Sequence, residues 1–219
     1  VSVKYEREDY YFDWRSQSYQ SINLSKGSSN ITKSGIYEIT GTLNDGSLVV
    51  NVDKSVDKNT VYIVLNNVKI SSSNTAPINV KNAKKVVLIL ENGTQNTIYQ
   101  SSNSITDEKG EPSAAVFSKS DLTITGSGTL NVTSDFNDGI TSKDKLKITD
   151  GTLIINSKYD GIVGKDLLAV KNGNITINAG KDGLRSTNDT DTDKGNIVIE
   201  NGIFNVTSAG DAIDAYANL

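Results

Sequence analysis

The feature that most limits how this chain can fold is a repeat of about 22 residues. Asp138-Gly139-Ile140, Asp160-Gly161-Ile162 and Asp182-Gly183-Leu184 recur at intervals of 22 and 22. Asp211-Ala212-Ile213 follows 29 later, and the seven extra residues match the polar insertion around Asn188 to Lys194. Apolar positions keep the same phase. Leu122, Leu146, Leu168 and Ile197 form one column, and Ile124, Ile148, Val170 and Ile199 a second. Leu130, Leu153, Ile175 and Phe204 form a third, Val132, Ile155, Ile177 and Val206 a fourth, and Ile140, Ile162, Leu184 and Ile213 a fifth. Within a unit the apolar residues alternate with polar ones, as strands require, and come in pairs separated by Gly-containing corners. The repeat therefore predicts an all-β fold, a single-stranded right-handed parallel β-helix with about 22 residues and three short strands per coil. Each strand pairs with its counterpart one coil along, ~4.8 Å away.

Earlier coils are less regular. Val61, Ile63, Val68, Ile70 and Ile78 reproduce the inward spacing, and Gln100 to Ser113 reads as a loop inserted before Ala114. The division predicted is an aromatic cap or leader over residues 1–34 and a solenoid over 35–219. Six of the 14 aromatic residues, Tyr5, Tyr10, Tyr11, Phe12, Trp14 and Tyr19, fall in the first 19 positions. A solenoid has to cover its open end, so these residues are read chiefly as a cap or packed leader segment, with sugar stacking on Trp14 as the alternative. The chain has no Met and stops just after a corner at Ala215 to Leu219. Removal of an upstream segment and continuation into further coils are the expectations.

Composition removes several classes of function. With no Cys and no His, thiolate nucleophiles, zinc-thiolate sites, imidazole bases and imidazole metal ligands are all absent. A net charge of -4 does not provide the basic stripe that nucleic acid needs. Apolar runs such as Val86 to Leu90 are far shorter than the ~20 residues of a membrane span. A monomer is expected.

Stacking turns Asp138, Asp160, Asp182 and Asp211 into one acidic column. Carboxylates ~5 Å apart at an effective dielectric near 20 repel by roughly 3 kcal/mol, so protonation, a cation or exposure to water has to relieve them. Repeated Asp without His or Cys suits a hard, oxygen-seeking ion, above all calcium, and Asp214 and Asp135 lie near enough in sequence to contribute. The other reading is that Asp-Gly is simply a turn dipeptide. Asp189, Asp191 and Asp193 alternate in the insertion as the first ligands of a calcium loop do, or else form a solvated acidic loop. A row of Lys81, Lys119, Lys143 and Lys165 runs alongside, beside Asn82, Ser120, Asp144, Asp166 and Asn188. It is either a self-compensating face or, with Arg185, a grip for an acidic or hydroxyl-rich polymer. The sequons Asn131-Val132-Thr133 and Asn205-Val206-Thr207 fall inside strands and carry no weight as glycosylation sites.

The series Ala76-Pro77-Ile78-Asn79-Val80-Lys81-Asn82-Ala83, Ala115-Val116-Phe117-Ser118-Lys119, Asn137-Asp138-Gly139-Ile140 with Ser142-Lys143-Asp144, and Gly183-Leu184-Arg185-Ser186-Thr187-Asn188-Asp189 resembles a bacterial carbohydrate-binding β-helix family common in clostridia. The resemblance covers roughly residues 35–215. It implies a fold similar to polysaccharide lyases, calcium held between coils, and an exported or surface-attached bacterial protein that binds cellulose or pectic acid. The leading expectation is non-catalytic, calcium-dependent binding of such a polysaccharide. A lyase with Lys143, Lys165 or Arg185 as base, and a passive structural stalk, are the alternatives.

Overall fold

The structure, a computed structural model, describes residues 1–219. It is an all-β parallel solenoid of about seven turns, built from three parallel sheets. Sheet I carries Gln20–Asn23, Gly35–Thr40, Val61–Leu65, Lys85–Leu90, Asp121–Thr125, Lys145–Ile148, Leu167–Val170 and Asn196–Ile199. Sheet II carries Thr42–Leu43, Lys69–Ser72, Gln95–Gln100, Thr129–Ser134, Thr152–Ser157, Asn174–Ala179 and Ile203–Ser208. Sheet III carries Ser29–Ile31, Leu48–Asn51, Ile78–Asn82, Ala114–Ser118, Asp138–Ser142, Ile162–Gly164, Leu184–Ser186 and Ile213–Ala215. The only helical pieces are single 3-10 turns at Arg7–Asp9, Trp14–Ser16 and Leu24–Lys26. No helix is long and apolar enough to cross a membrane.

All five apolar columns stand in register. Leu122 pairs with Leu146, Leu146 with Leu168 and Leu168 with Ile197. Leu130, Leu153, Ile175 and Phe204 align on sheet II, and Ile140, Ile162, Leu184 and Ile213 on sheet III. Their side chains fill one continuous core from Leu24 to Ile197. Burying such columns is the main term holding the solenoid together, at roughly 1.5–3 kcal/mol for each large aliphatic side chain. The Asp-Gly corners need glycine because coils approach too closely for a Cβ. At Gly161 it would lie 2.6 Å from the Gly183 carbonyl oxygen and 2.6 Å from Ile177.

The N-terminal segment is a packed leader, and it differs from an end cap in two respects. Strand pairing already begins at Gln20–Asn23, on Gly35–Thr40, so the first coil lies inside the segment assigned to the leader. Residues 5–14, moreover, do not close the end. They run as a strap along the outer face of sheet I, from Lys147 and Lys171 beside Tyr5 to Tyr62 beside Phe12. Beneath the strap, sheet I is apolar on its outer side too: Val64, Val87 and Ile89 pack on Trp14. Asp9 is the rivet. Fully buried, it meets Lys85 Nζ at 2.6 Å and Lys147 Nζ at 2.9 Å and accepts from the Thr123 hydroxyl at 2.7 Å. Burial pushes its carboxyl up, but the Glu6 N–H, Lys85, Thr123 and Lys147 bring it down to about 2.

Candidate functional site

The acidic column exists, and its chemistry is that of a hydrogen-bond ladder. The Asp160 N–H donates to Asp138 Oδ1 (3.1 Å), the Asp182 N–H to Asp160 Oδ1 (3.1 Å) and the Asp211 N–H to Asp182 Oδ1 (2.9 Å). Each carboxylate thus caps the corner of the next coil. The remaining oxygens meet other protein donors. Thr141 donates to Asp138 Oδ2 at 3.0 Å, and Arg185 donates to Asp160 Oδ2 at 2.9 Å and to Asp214 Oδ2 at 3.1 Å. Arg185 Nε also lies 3.6 Å from Asp182. Its register between Val163 and Asp214 explains this placement, because that position on sheet III looks down on the corners.

The column begins on an apolar floor. Asp138 pairs in register with Ala114, which packs with Ala76 and Phe117. Burial, followed by the charge of Asp160, pushes the Asp138 carboxyl up to about 7. Arg185 is held protonated by Asp160, Asp182 and Asp214 despite the burial that opposes it. No group of three or more acidic side chains converges on one point at this corner, and Arg185 sets one positive charge among Asp160, Asp182 and Asp214. Asp135 is elsewhere, accepting from the Tyr99 hydroxyl at 2.9 Å.

The insertion is likewise organised by protein donors. The Asn188 carbonyl accepts the N–H groups of Thr190 and Asp191, and its amide donates to Asp166 at 2.7 Å. Asp191 accepts the Asp193 N–H, and Lys194 closes the loop on Asp166 at 2.8 Å. Asp189, Asp191 and Asp193 all stay exposed, and their carboxylates do not converge.

The lysine row is interrupted. Glu111, on the loop 101–113, bridges Lys119 (2.8 Å) and Lys143 (3.4 Å). Burial pushes the Glu111 carboxyl up, and these two lysines pull it below the usual carboxylate range. Lys165 is half-buried beyond them. Of the residues considered as a lyase base, Lys143 is tied to Glu111, and Arg185 is held in its charged form, which leaves it no site for an incoming proton. The expectation for Trp14 is corrected outright. The indole is 0% exposed, its ring sits under Arg15 (4.2 Å) and edge-on to Tyr19 (4.8 Å), and its N–H donates to Glu91. The apolar outer side of sheet I takes the ring that was expected to stack on sugar.

The surface that residue-by-residue reading missed is the outer face of sheet II. Three columns stand on it in register: Gln95, Thr129, Thr152, Asn174 and Ile203; then Thr97, Asn131, Ile154, Thr176 and Asn205; then Tyr99, Thr133, Asn156, Asn178 and Thr207. From Gln95–Gln100 to Ile203–Ser208 these columns carry no charged side chain in a chain that is 22% charged, and Lys69, in register with Thr97, bounds them on the next coil. A strand face that only needed solvating would carry its share of Lys and Glu, which also guard against aggregation. Here hydroxyls and amides offer both donors and acceptors at each coil repeat. The face ends in an open groove of about 350 Å³, lined among others by Thr133, Asp135, Asn156, Lys158 and Asn178. The signal was present in the sequence: these are the outward partners of the third and fourth apolar columns.

Comparison with known proteins fits this picture. Residues 25–219 match a family model described as a carbohydrate-binding domain-containing protein. A relative with that description from Acetivibrio thermocellus is 33% identical over 141 residues, covering 62% of this chain. The aligned stretch spans about half, 47%, of that relative's length. A solved polysaccharide lyase-like protein from C. thermocellum, studied as a gadolinium derivative, superposes with a TM-score of 0.82 at 27% identity, covering 91% of this chain and 94% of its own. With nearly its whole solenoid matched, the chain belongs to the carbohydrate-binding domain family.

Proposed function

We propose that this protein is a non-catalytic polysaccharide-binding module that grips a neutral cell-wall glycan, of the cellulose type, along the outer face of sheet II. The observation that carries the reading is the uncharged comb of Asn, Thr, Gln and Tyr side chains, broken only by Ile154 and Ile203, repeated in register over five coils. A repeating ligand is matched by a repeating surface, and sugar hydroxyls are matched by groups that both donate and accept. Tyr99, 37% exposed, adds an aromatic edge where the face meets its groove. Such polymers lie outside the cell, so the protein acts after export. Arg185 and backbone N–H groups meet part of the column's demand, which supports binding that does not depend on calcium.

The test is adsorption to insoluble cellulose, with calcium and with chelator. Thr176→Arg together with Asn131→Glu places bulk and charge at the centre of the comb, away from the core. Binding is expected to fall at least tenfold in the double variant, to be the same in chelator, and the melting temperature to stay unchanged. Equal adsorption by the double variant removes the comb as the binding face, and adsorption to pectate alone removes the neutral-glycan assignment.

A further inference from the structure

A second recess lies on a different face, where the strap crosses the first coils. Its floor is Ile36 and Tyr62 of sheet I, and its walls are Arg7, Glu8, Phe12 and Gln17. The volume is about 380 Å³, inside the range of small-molecule sites and enough for one sugar ring. Two aromatic rings meet there, Phe12 and Tyr62, edge to face with centroids 5.0 Å apart. The polar groups are few and differ in kind: one guanidinium, one carboxylate and one amide. The carboxylate is preorganised, because Glu8 accepts from the Thr60 hydroxyl at 3.0 Å and from Lys85 Nζ at 3.2 Å. Arg7 is exposed and is the one cation in the lining.

We infer that this recess binds a single neutral pyranose residue at the end or branch of a glycan chain, separately from the comb on sheet II. A pyranose has an apolar face of C–H groups and a rim of hydroxyls. Aromatic rings beside a fixed acceptor, a forked donor and an amide are complementary to both. Glu8 stands in the lining, and a uronate carboxylate entering the recess would meet it head on, so an acidic sugar is disfavoured. This reading moves sugar contact from Trp14, which is buried, to the neighbouring rings. Trp14 serves as the packed backing, while Phe12 and Tyr62 face the recess.

That backing supplies the assay. Trp14 is the sole tryptophan, and Phe12, Ile36 and Tyr62 pack against the cluster that contains it. Titration with cellotetraose is expected to shift Trp14 emission saturably. Arg7→Ala and Gln17→Ala, both at exposed positions, are expected to weaken the midpoint at least fivefold without moving the melting temperature, and trigalacturonate to bind at least tenfold more weakly than cellotetraose. The comb variant Thr176→Arg/Asn131→Glu is expected to titrate like the parent, so failure of one site is distinguishable from failure of the other. An absent emission change with both cellotetraose and xylotetraose overturns the proposal, as does a midpoint unmoved in both recess variants. A trigalacturonate midpoint equal to that of cellotetraose overturns its neutral-sugar assignment.

Discussion

Asp138→Asn is expected to stabilise the protein in alkaline solution and to leave it almost unchanged at pH 4. In the folded chain the carboxyl titrates at about 7, against an ordinary value of 3.8, because it rests on Ala114 and faces Asp160. The native state therefore holds a proton between pH 3.8 and 7 that the unfolded chain has lost, so stability falls as pH rises through that window. Below pH 3.8 the site costs nothing; above 7 it costs its full amount. A displacement of about three pH units at about 1.36 kcal/mol each is about 4 kcal/mol, reduced to about 3 by the part of the residue that stays wet. The asparagine oxygen still accepts the Asp160 N–H, and its amide donates to Thr141 where the carboxylate accepted, so both contacts survive. For a domain of this length about 3 kcal/mol raises the melting temperature by on the order of 10 °C. Thermal unfolding followed by circular dichroism at pH 4 and pH 8.5, in chelator, measures it. A difference between parent and variant that is the same at both pH values would refute the account of the column as a partly frustrated ladder. Repeating the alkaline measurement in calcium tests the expected ion directly: if calcium holds the corner, the parent gains stability and the variant does not.

Asp9→Ala removes the strap's rivet and leaves Lys85, 7% exposed, with only Glu6 and Glu8. A loss of about 3 kcal/mol is expected in urea unfolding at pH 7. Because the folded carboxyl lies at about 2, that contribution is present above its ordinary 3.8 and disappears as pH falls through about 2, so parent and variant should converge in acid. Gly161→Ala forces a Cβ to within 2.6 Å of the Gly183 oxygen, and a loss of about 1–3 kcal/mol in the urea midpoint is expected from spreading the coils. Glu111→Gln releases Lys119 and Lys143 from their bridge and should raise retention on a pectate column at low salt, with the gain vanishing near 1 M salt, where the Debye length is about 3 Å.

The solenoid was legible because its dominant energy term is periodic. Inward side chains repeat at the coil interval, and a column such as Leu130, Leu153, Ile175 and Phe204 prints that interval into the sequence. The acidic column was legible for the same reason, but its meaning was not, because a carboxylate's partner depends on what lies one coil away and off the column. Arg185 sits 25 positions from Asp160 and 29 from Asp214, yet lies beside both once sheet III is in register. The comb on sheet II was hidden by its lack of charge, since Asn and Thr in alternation look like mere solvation until they are stacked. The strap could not be read at all from period. Asp9 and Lys85 lie 76 positions apart, and Asp9 stands outside the repeat.

One signal for the strap was nevertheless present. A strand with one wet face alternates, as Asn174–Ala179 does, whereas Val61–Leu65 and Lys85–Leu90 are almost unbroken runs of apolar residues. A run of that kind is what a strand covered on both sides looks like. In a solenoid the inner side is always covered, so the run says that something lies over the outer side, and only at those coils. The cluster of residues 5–19, with six aromatic rings, supplies that cover. The two features meet in the structure, where Trp14 packs against Val64, Val87 and Ile89. The rings at the margin of that contact, Phe12 and Tyr62, line the recess proposed for a sugar.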